Sequence, residues 1–206
     1  MRFRPLAFAV LAGLMSLSAR AHAMSFEAVS GPEACQARPC IAASGPIDAR
    51  TADEFDAFLK AHPAAGGLVI LDSGGGDLLQ GLALGNEIRH ARLDTMVGAY
   101  DARDGRLAAG TCASACAYAF LGGVERSIAP GARIGVHQLY ARGESWALTP
   151  EAGLELMSLV ATHVHHLCGN LELLIPAMRT PPQEMHWLSS SELTRYSVLT
   201  PTVRQG

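Results

Sequence analysis

One serine and one histidine in this chain lie in the kind of sequence that supports nucleophilic catalysis. Ser114 is at the centre of a run of small residues, 110–117, and His137 follows a short apolar strand at 134–136. A helix that begins at Ala115 would leave free backbone N–H groups beside the serine hydroxyl. Acyl transfer needs this combination of a nucleophile, a base within reach and N–H donors for an oxyanion. We therefore predict Ser114 as a nucleophile and His137 as its general base.

A glycine-rich turn supplies the second half of the predicted site. Residues 68–71, Leu-Val-Ile-Leu, form an apolar run with β-branched residues in its middle, which is typical of a buried strand. The turn Asp-Ser-Gly-Gly-Gly-Asp follows at 72–77, and an amphipathic helix comes after it. Glycines allow the backbone to turn sharply and to approach a ligand closely. Because the turn lacks the Lys-Ser/Thr ending of a P-loop and the G-x-G-x-x-G spacing, it favours an oxyanion or carbonyl cradle over a phosphate site.

Four stretches, in one order along residues 67–199, resemble motifs of the ClpP serine peptidases. Residues 73–77 with Gly81 are similar to N-S-P-G-G-S…G, residues 110–117 to the nucleophile turn G-x-A-A-S-M-G-A, residues 132–138 to S-R-x-M-I-H-Q, and residues 187–199 to F-L-S-x-x-E-A-x-x-Y-G-L-V. The pattern resembles a secreted, ClpP-like subgroup of the ClpP/crotonase superfamily rather than the cytoplasmic protease. This resemblance implies an α/β fold with a repeated ββα superhelical core, stacked sheets and flanking helices.

The same resemblance implies roles for further residues. The backbone N–H groups of Gly75 and Ala115 match the oxyanion-hole positions of the family. The orienting aspartate of the family corresponds to Met185 here, so that position carries no acid. The adjacent Glu184 is the candidate third catalytic residue, and Asn170 or a backbone carbonyl could orient the imidazole instead. Loss of the orienting acid of a triad lowers the rate by about 10⁴, so we expect a slow Ser-His dyad or an atypical triad.

The first 23 residues predict a cleaved signal peptide. Arg2 and Arg4 precede an apolar block, and Ala-His-Ala at 21–23 is an A-x-A cleavage site. A membrane anchor is the alternative, but the block is shorter than the roughly 20 residues that span a bilayer. We expect residues 24–206 to form one periplasmic or secreted domain without a membrane span. Without the leader, 13 basic residues face 19 acidic ones, which argues against a nucleic-acid partner.

All five cysteines lie beyond the predicted leader, where an oxidising compartment permits disulfides. Cys35 and Cys40 flank a proline-containing turn and most simply pair with each other. Cys112 and Cys116 bracket Ser114 at a spacing of one helical turn, near the upper end of disulfide reach. The alternative is that one of these two pairs with Cys168. A metal site is the third and least favoured interpretation, because close Cys-x-x-Cys pairs are missing from the sequence.

The remaining elements follow from hydrophobic periodicity and capping residues. We predict helices at 51–59, 78–90 and 150–168 and a strand at 95–100. The polar stretch 101–109 has no counterpart in the ClpP pattern. It is either a flexible lid near the site or a tolerated surface insertion, and we favour the insertion.

Three histidines close together, His163, His165 and His166, raise the possibility of a metal site on the third helix. No carboxylate lies near enough in the sequence to form a familiar metal-ligand set with these histidines. We therefore expect them to be exposed on the helix and to bind no metal. In ClpP relatives this region contributes to oligomer contacts, and the resemblance therefore implies a homo-oligomer.

The sequence predicts an exported serine hydrolase, an ATP-independent peptidase that acts through an acyl-enzyme on peptide or protein substrates. It needs no cofactor, and we expect no ATPase partner. The alternative is a catalytically degenerate scaffold that binds extended peptides, in which Ser114 is a small residue of a tight turn and His137 a core histidine. A crotonase-type enzyme acting on acyl-thioesters is disfavoured, because such substrates are cytoplasmic and a serine occupies the nucleophile turn.

Overall fold

The computed structural model of the chain describes residues 23–36, 39–140 and 149–201. The predicted signal peptide therefore lies outside the described residues, except for Ala23. Within these ranges, no helix combines the length and the apolar character that crossing a bilayer requires.

The described part of the chain contains ten strands, six α-helices and two short 3₁₀ helices, Glu33–Cys35 and Leu171–Leu173. The strands are β1 (Ser25–Val29), β2 (Cys40–Ser44), β3 (Leu68–Asp72), β4 (Asp94–Val97), β5 (Ala99–Asp101), β6 (Arg106–Ala108), β7 (Thr111–Ala113), β8 (Arg126–Ile128), β9 (Arg133–Val136) and β10 (His186–Trp187). The helices are α1 (Thr51–Ala61), α2 (Leu78–His90), α3 (Ala115–Phe120), α4 (Pro150–Cys168), α5 (Leu174–Arg179) and α6 (Ser190–Arg195).

Two sheets and a separate hairpin organise these strands. The larger sheet has the order β1-β2-β3-β4-β8, in which β2, β3, β4 and β8 are parallel and β1 is antiparallel at the edge. The smaller sheet has the order β10-β9-β7, with β7 and β9 parallel. Helices α1 and α2 make the crossovers between successive parallel strands, as parallel pairing requires. The predicted mixed α/β fold is confirmed, and the repeated ββα superhelix stays a prediction.

Strand β3 is buried on both faces, as its uninterrupted apolar sequence leads one to expect. Val69 and Leu71 belong to the main core, together with side chains of α2 and α3. Ile70, between them, belongs to a smaller cluster that includes Cys35 and Cys40. The sheet therefore has a second covered face opposite the helices.

Helix α2 begins and packs in a way that its sequence explains. Asp77 caps it, because its carboxylate accepts a hydrogen bond of 3.0 Å from the Gln80 N–H. A Cβ at Gly81 would lie 2.6 Å from the carbonyl oxygen of Ala115, so only a glycine lets α2 approach α3 this closely. Ala115, the residue that follows Ser114, is thus packed against helix α2.

The stretch 101–109 forms part of a hairpin instead of an irregular loop. Strands β5 and β6 pair antiparallel, and the predicted strand 95–100 is split between β4 and β5 at Gly98. Tyr100 and Leu107 pack against the smaller apolar cluster, and the hairpin tip at Gly105 lies against Gly31. The hairpin therefore covers the second face of the larger sheet.

Two cysteine pairs lie at disulfide distance. Cys35 and Cys40 have their Cα atoms 5.2 Å apart, and Cys112 and Cys116 have the same Cα separation of 5.2 Å. Cys168 is the free cysteine of the described residues. Of the alternatives that the sequence left open, the pairing across Ser114 is the one observed.

Candidate active site

Ser114 occupies a sharp turn between strand β7 and helix α3. Its backbone angles are φ 56° and ψ −123°, a conformation that residues other than glycine seldom adopt. The turn is held on both sides, because the Ser114 N–H donates to Gly135 O at 2.9 Å and Ser114 O accepts from the Ala117 N–H at 3.0 Å. A strained strand-turn-helix of this kind presents a nucleophile in many hydrolases.

The glycine-rich turn is tied directly to the strand that carries Ser114. The Ser73 N–H donates to Thr111 O at 2.7 Å, and the Ala113 N–H donates to Ser73 O at 3.0 Å. The Asp72 carboxylate also accepts a hydrogen bond of 2.8 Å from the Thr111 N–H. These bonds join the end of β3 in the larger sheet to β7 in the smaller one.

Gly75 and Ala115, the predicted oxyanion-hole residues, are neighbours in space. Gly75 has φ +92°, and a Cβ placed on it would lie 2.8 Å from Ser114 Cβ and 3.1 Å from Ala115 N. Among the contacts of the described residues, the Ala115 N–H has no hydrogen-bond acceptor. The Gly75 N–H, in contrast, donates to Ser73 Oγ at 3.1 Å, so one of the two donors already has a partner.

His137 is buried just beyond β9, and a backbone carbonyl orients its ring. Its Nδ1 lies 2.7 Å from the carbonyl oxygen of Gln138. Because a carbonyl can only accept, Nδ1 carries a proton, and in the neutral tautomer with that proton Nε2 keeps a lone pair. This is the tautomer that a general base requires. The orienting group is thus a backbone carbonyl, one of the alternatives to Glu184, and the ring also stacks on Tyr140 with centroids 5.6 Å apart.

Glu184, the candidate third residue, is not brought to the imidazole. Its side chain is exposed and makes no hydrogen bond or ion pair within the described ranges. The register of β10 with β9, continued by one residue, places Met185 beside His137. The Met185 thioether packs over Gly135, with Sδ 2.7 Å from the position a Cβ would take there. The residue paired with His137 in this register therefore carries a thioether and not a carboxylate.

A different histidine has an acidic partner. The His186 Nε2 lies 2.8 Å from Glu192 Oε1, and no other histidine within the described part of the chain lies at this distance from a carboxylate. The backbone N–H and the hydroxyl of Ser189, followed by His186, lower the pKa of Glu192 to about 2. Ser189 and Glu192 form the capping box of α6. This carboxylate is therefore engaged in holding a helix end.

Two adjoining cavities meet at Ser114 and His137. The larger, of about 490 Å³, is lined by the glycine-rich turn 72–76. The smaller, of about 220 Å³, lies toward Leu78 and Leu156. Ser114 and His137 line both cavities. Both residues lie in described segments, and no hydrogen bond joins the Ser114 hydroxyl to the His137 ring. The arrangement offers a hydroxyl, an imidazole and backbone N–H groups to one shared space.

The histidines of α4 do not behave alike. His163 is buried, and its Nε2 lies 2.9 Å from the carbonyl oxygen of Tyr118. Burial lowers the pKa of His163, which favours the neutral form of its ring. The expectation of exposed histidines is thus wrong for His163 and correct for His165 and His166. In the part of the chain that the structure describes, no group of His, Cys, Asp or Glu residues is placed to hold a metal ion.

Comparison with known proteins identifies a similar fold. No protein-family model matches this chain, and no curated protein matches its sequence. Among solved structures, a mutant of the 1510-N membrane-bound stomatin-specific protease, with a serine replaced by alanine, is similar to it at 20% identity and a TM-score of 0.51. The match covers 78% of this chain and 75% of that one. At this identity the likeness shows a similar fold and nothing finer.

Proposed function

We propose that this chain is an exported serine hydrolase that cleaves peptide bonds through an acyl-enzyme, with Ser114 as nucleophile and His137 as base. The observation that carries the proposal is the strained Ser114 turn, which shares its cavities with an imidazole whose free nitrogen is Nε2. The structurally similar protein is itself described as a protease.

The mechanism follows from the groups around the shared space. His137 Nε2 takes the proton as Ser114 Oγ attacks the scissile carbonyl, and the oxygen of the tetrahedral intermediate binds the N–H groups of Ala115 and Gly75. The imidazolium then gives its proton to the leaving amine, and the acyl-enzyme forms. Water repeats the sequence and releases the acid. For Gly75 to take part, its N–H must share or leave its bond to Ser73 Oγ.

The absence of a carboxylate at Met185 makes the proposed reaction slow. The Gln138 carbonyl can hold the ring and its tautomer, but it carries no full charge to stabilise the imidazolium. Removing the acid from a complete triad lowers the rate by about 10⁴. We therefore expect acylation of Ser114 to be easier to detect than steady turnover.

Export is the location that suits the cysteines. Disulfides persist in oxidising compartments, and four cysteines of this chain lie in pairs at bonding distance. Together with the leader pattern of residues 1–23, this favours a periplasmic or secreted protein. Homo-oligomer formation remains part of the proposal, and the exposed leucines Leu154 and Leu159 on α4 are compatible with it.

Covalent labelling tests the proposed nucleophile. The protein without residues 1–23 is treated with a fluorophosphonate under oxidising conditions, and intact mass is measured. We expect one adduct that is absent from Ser114→Ala and forms at least tenfold more slowly in His137→Gln, in line with the size of general-base effects. Ser127→Ala, at an exposed serine of β8, is the matched control and should label like the unmodified protein.

The competing function is a peptide-binding scaffold without catalysis. Two observations support it: position 185 carries a thioether instead of a carboxylate, and no hydrogen bond joins Ser114 to His137, both of which belong to the described residues. A folded, oxidised protein that binds peptides but gains no adduct would establish the scaffold and contradict the hydrolase.

A further inference from the structure

The smaller cavity beside Ser114 is mostly apolar but contains one unusual polar group. Three leucines, Leu78, Leu139 and Leu156, contribute to its walls, and we call this cavity the leucine pocket. Tyr118 also lines it and lies one helical turn after Ser114 on α3. A side chain attached to a carbonyl beside Ser114 would have this pocket as its nearest apolar space.

The Tyr118 hydroxyl has no hydrogen-bond partner among the described residues. The side chain is 3% exposed, and burial raises the pKa of Tyr118 to about 12, so the hydroxyl is neutral. Among the described residues, Arg89 Nε is the only side-chain nitrogen or oxygen atom that is fully enclosed and has no hydrogen-bond partner, so the Tyr118 oxygen is not fully enclosed. The Tyr118 oxygen therefore still borders open space, and the leucine pocket is the cavity that Tyr118 lines.

An unpaired hydroxyl at this depth is unfavourable until something bonds to it. Buried tyrosine hydroxyls usually have a partner. The backbone of Tyr118 cannot easily turn away, because its carbonyl accepts the hydrogen bond from buried His163 at 2.9 Å. Because the oxygen borders the leucine pocket, a polar end group of a ligand in that pocket can bond to it.

We propose that the leucine pocket selects the side chain that precedes the scissile bond, and that it prefers tyrosine over phenylalanine because Tyr118 pairs with a polar end group. This inference rests on the proposed function for its orientation toward Ser114. The volume of about 220 Å³ exceeds the roughly 150 Å³ of a cavity that holds benzene. A phenol ring therefore fits, with its hydroxyl directed to Tyr118.

Asp77 gives the pocket a competing preference for a basic side chain, since it also lines the wall. Its carboxylate already accepts the capping hydrogen bond from the Gln80 N–H. It is also partly exposed, so water screens its charge. Tyr118 is buried and unpaired, and for that reason it gives the stronger discrimination.

A double-mutant cycle between protein and ligand tests the pairing. Three acetylated tripeptides that differ only in a C-terminal tyrosine, phenylalanine or lysine amide are titrated calorimetrically into Ser114→Ala. The same peptides are titrated into Ser114→Ala/Tyr118→Phe, and unfolding curves establish that both variants are folded. We expect the tyrosine peptide to bind about tenfold more tightly than the phenylalanine peptide, and this preference to fall to about twofold or less in the double variant.

Three results would overturn the inference: equal binding of the tyrosine and phenylalanine peptides, a preference that survives Tyr118→Phe, or no binding of any peptide. Tightest binding of the lysine peptide would assign the pocket to Asp77 instead. Because binding is measured without Ser114, the result is independent of catalysis. Selective peptide binding without fluorophosphonate labelling of the unmodified protein would contradict the proposed hydrolase function and support the proposed preference of the leucine pocket. Labelling without selective binding would support the hydrolase function and contradict the preference of the pocket.

Discussion

The two disulfides allow one prediction to separate stability from activity. Cys112→Ala/Cys116→Ala removes the bridge across Ser114, and Cys35→Ala/Cys40→Ala removes the other. Both pairs have Cα atoms 5.2 Å apart, with sequence separations of 4 and 5 residues, and all four cysteines are buried. Loops of this length give a stabilisation of about 2 kcal/mol each from chain entropy. Chain entropy alone therefore predicts nearly equal losses in the free energy of unfolding, and relaxation of the Ser114 turn makes the loss smaller for Cys112→Ala/Cys116→Ala.

The expected losses of activity are unequal. Ser114 is held at φ 56° and ψ −123°, and such a conformation costs of order 1–3 kcal/mol. Without the bridge between Cys112 and Cys116, the turn can relax toward ordinary backbone angles. Since 1.4 kcal/mol corresponds to a factor of ten, labelling of Ser114 should slow by about 10- to 100-fold. The Cys35→Ala/Cys40→Ala variant should label at the unmodified rate.

The assay compares two measurements on the same samples. Denaturant unfolding gives the free energy of each variant, and the fluorophosphonate rate is taken at a temperature where all variants are folded. The reasoning fails if both double variants lose labelling to the same extent, because the effect would then be one of general stability. It also fails if the Cys112→Ala/Cys116→Ala protein labels at the unmodified rate.

Three further predictions concern two residues of the glycine-rich turn and the buried His163. Gly75→Ala should lower the free energy of unfolding by about 1–3 kcal/mol or more and abolish labelling, because Gly75 has a φ of +92° and lies close to Ser114 Cβ. Gly74→Ala is the control, because a Cβ there meets nothing within 4 Å. It should leave the free energy of unfolding within about 0.5 kcal/mol of the unmodified value. Ser73→Ala frees the Gly75 N–H, so it should speed labelling about fivefold while stability falls by about 1 kcal/mol; slower labelling would mean that Ser73 acts in the transition state. His163 has a pKa lowered by burial, so the unfolded chain binds more protons and stability should fall as the pH drops below about 6.5; a His163→Gln protein should lack that part of the pH slope in unfolding titrations, and an unchanged slope would contradict the reasoning.

Elements defined by local signals were predictable from the sequence. Helix α4 has the expected bounds because Thr149 caps it, Pro150 is at its first position and Gly169 ends it in the left-handed conformation. Helix α2 likewise has the expected bounds, and α1 extends two residues further than predicted. The turn at Ser114 was predictable because a run of small residues that begins at Gly110 leads into the helix formers Ala115, Ala117 and Ala119.

Features that depend on tertiary contact were not predictable. The burial of His163 requires Tyr118, which lies 45 positions earlier in the chain, and no local pattern indicates that contact. The hairpin of β5 and β6 forms because Tyr100 and Leu107 pack against the apolar cluster on the second face of the larger sheet. The exposure of Glu184 likewise depends on how β10 pairs with β9.

The bonds between the glycine-rich turn and β7 bear on when the site is assembled. Because the Ser73 and Ala113 amides bond across the junction of the two sheets, sliding one sheet against the other would break both bonds. Their amide protons should therefore exchange with deuterium as slowly as those of the deepest strands. The distance from the nucleophile to its N–H donors is then set when the chain folds, before any ligand arrives.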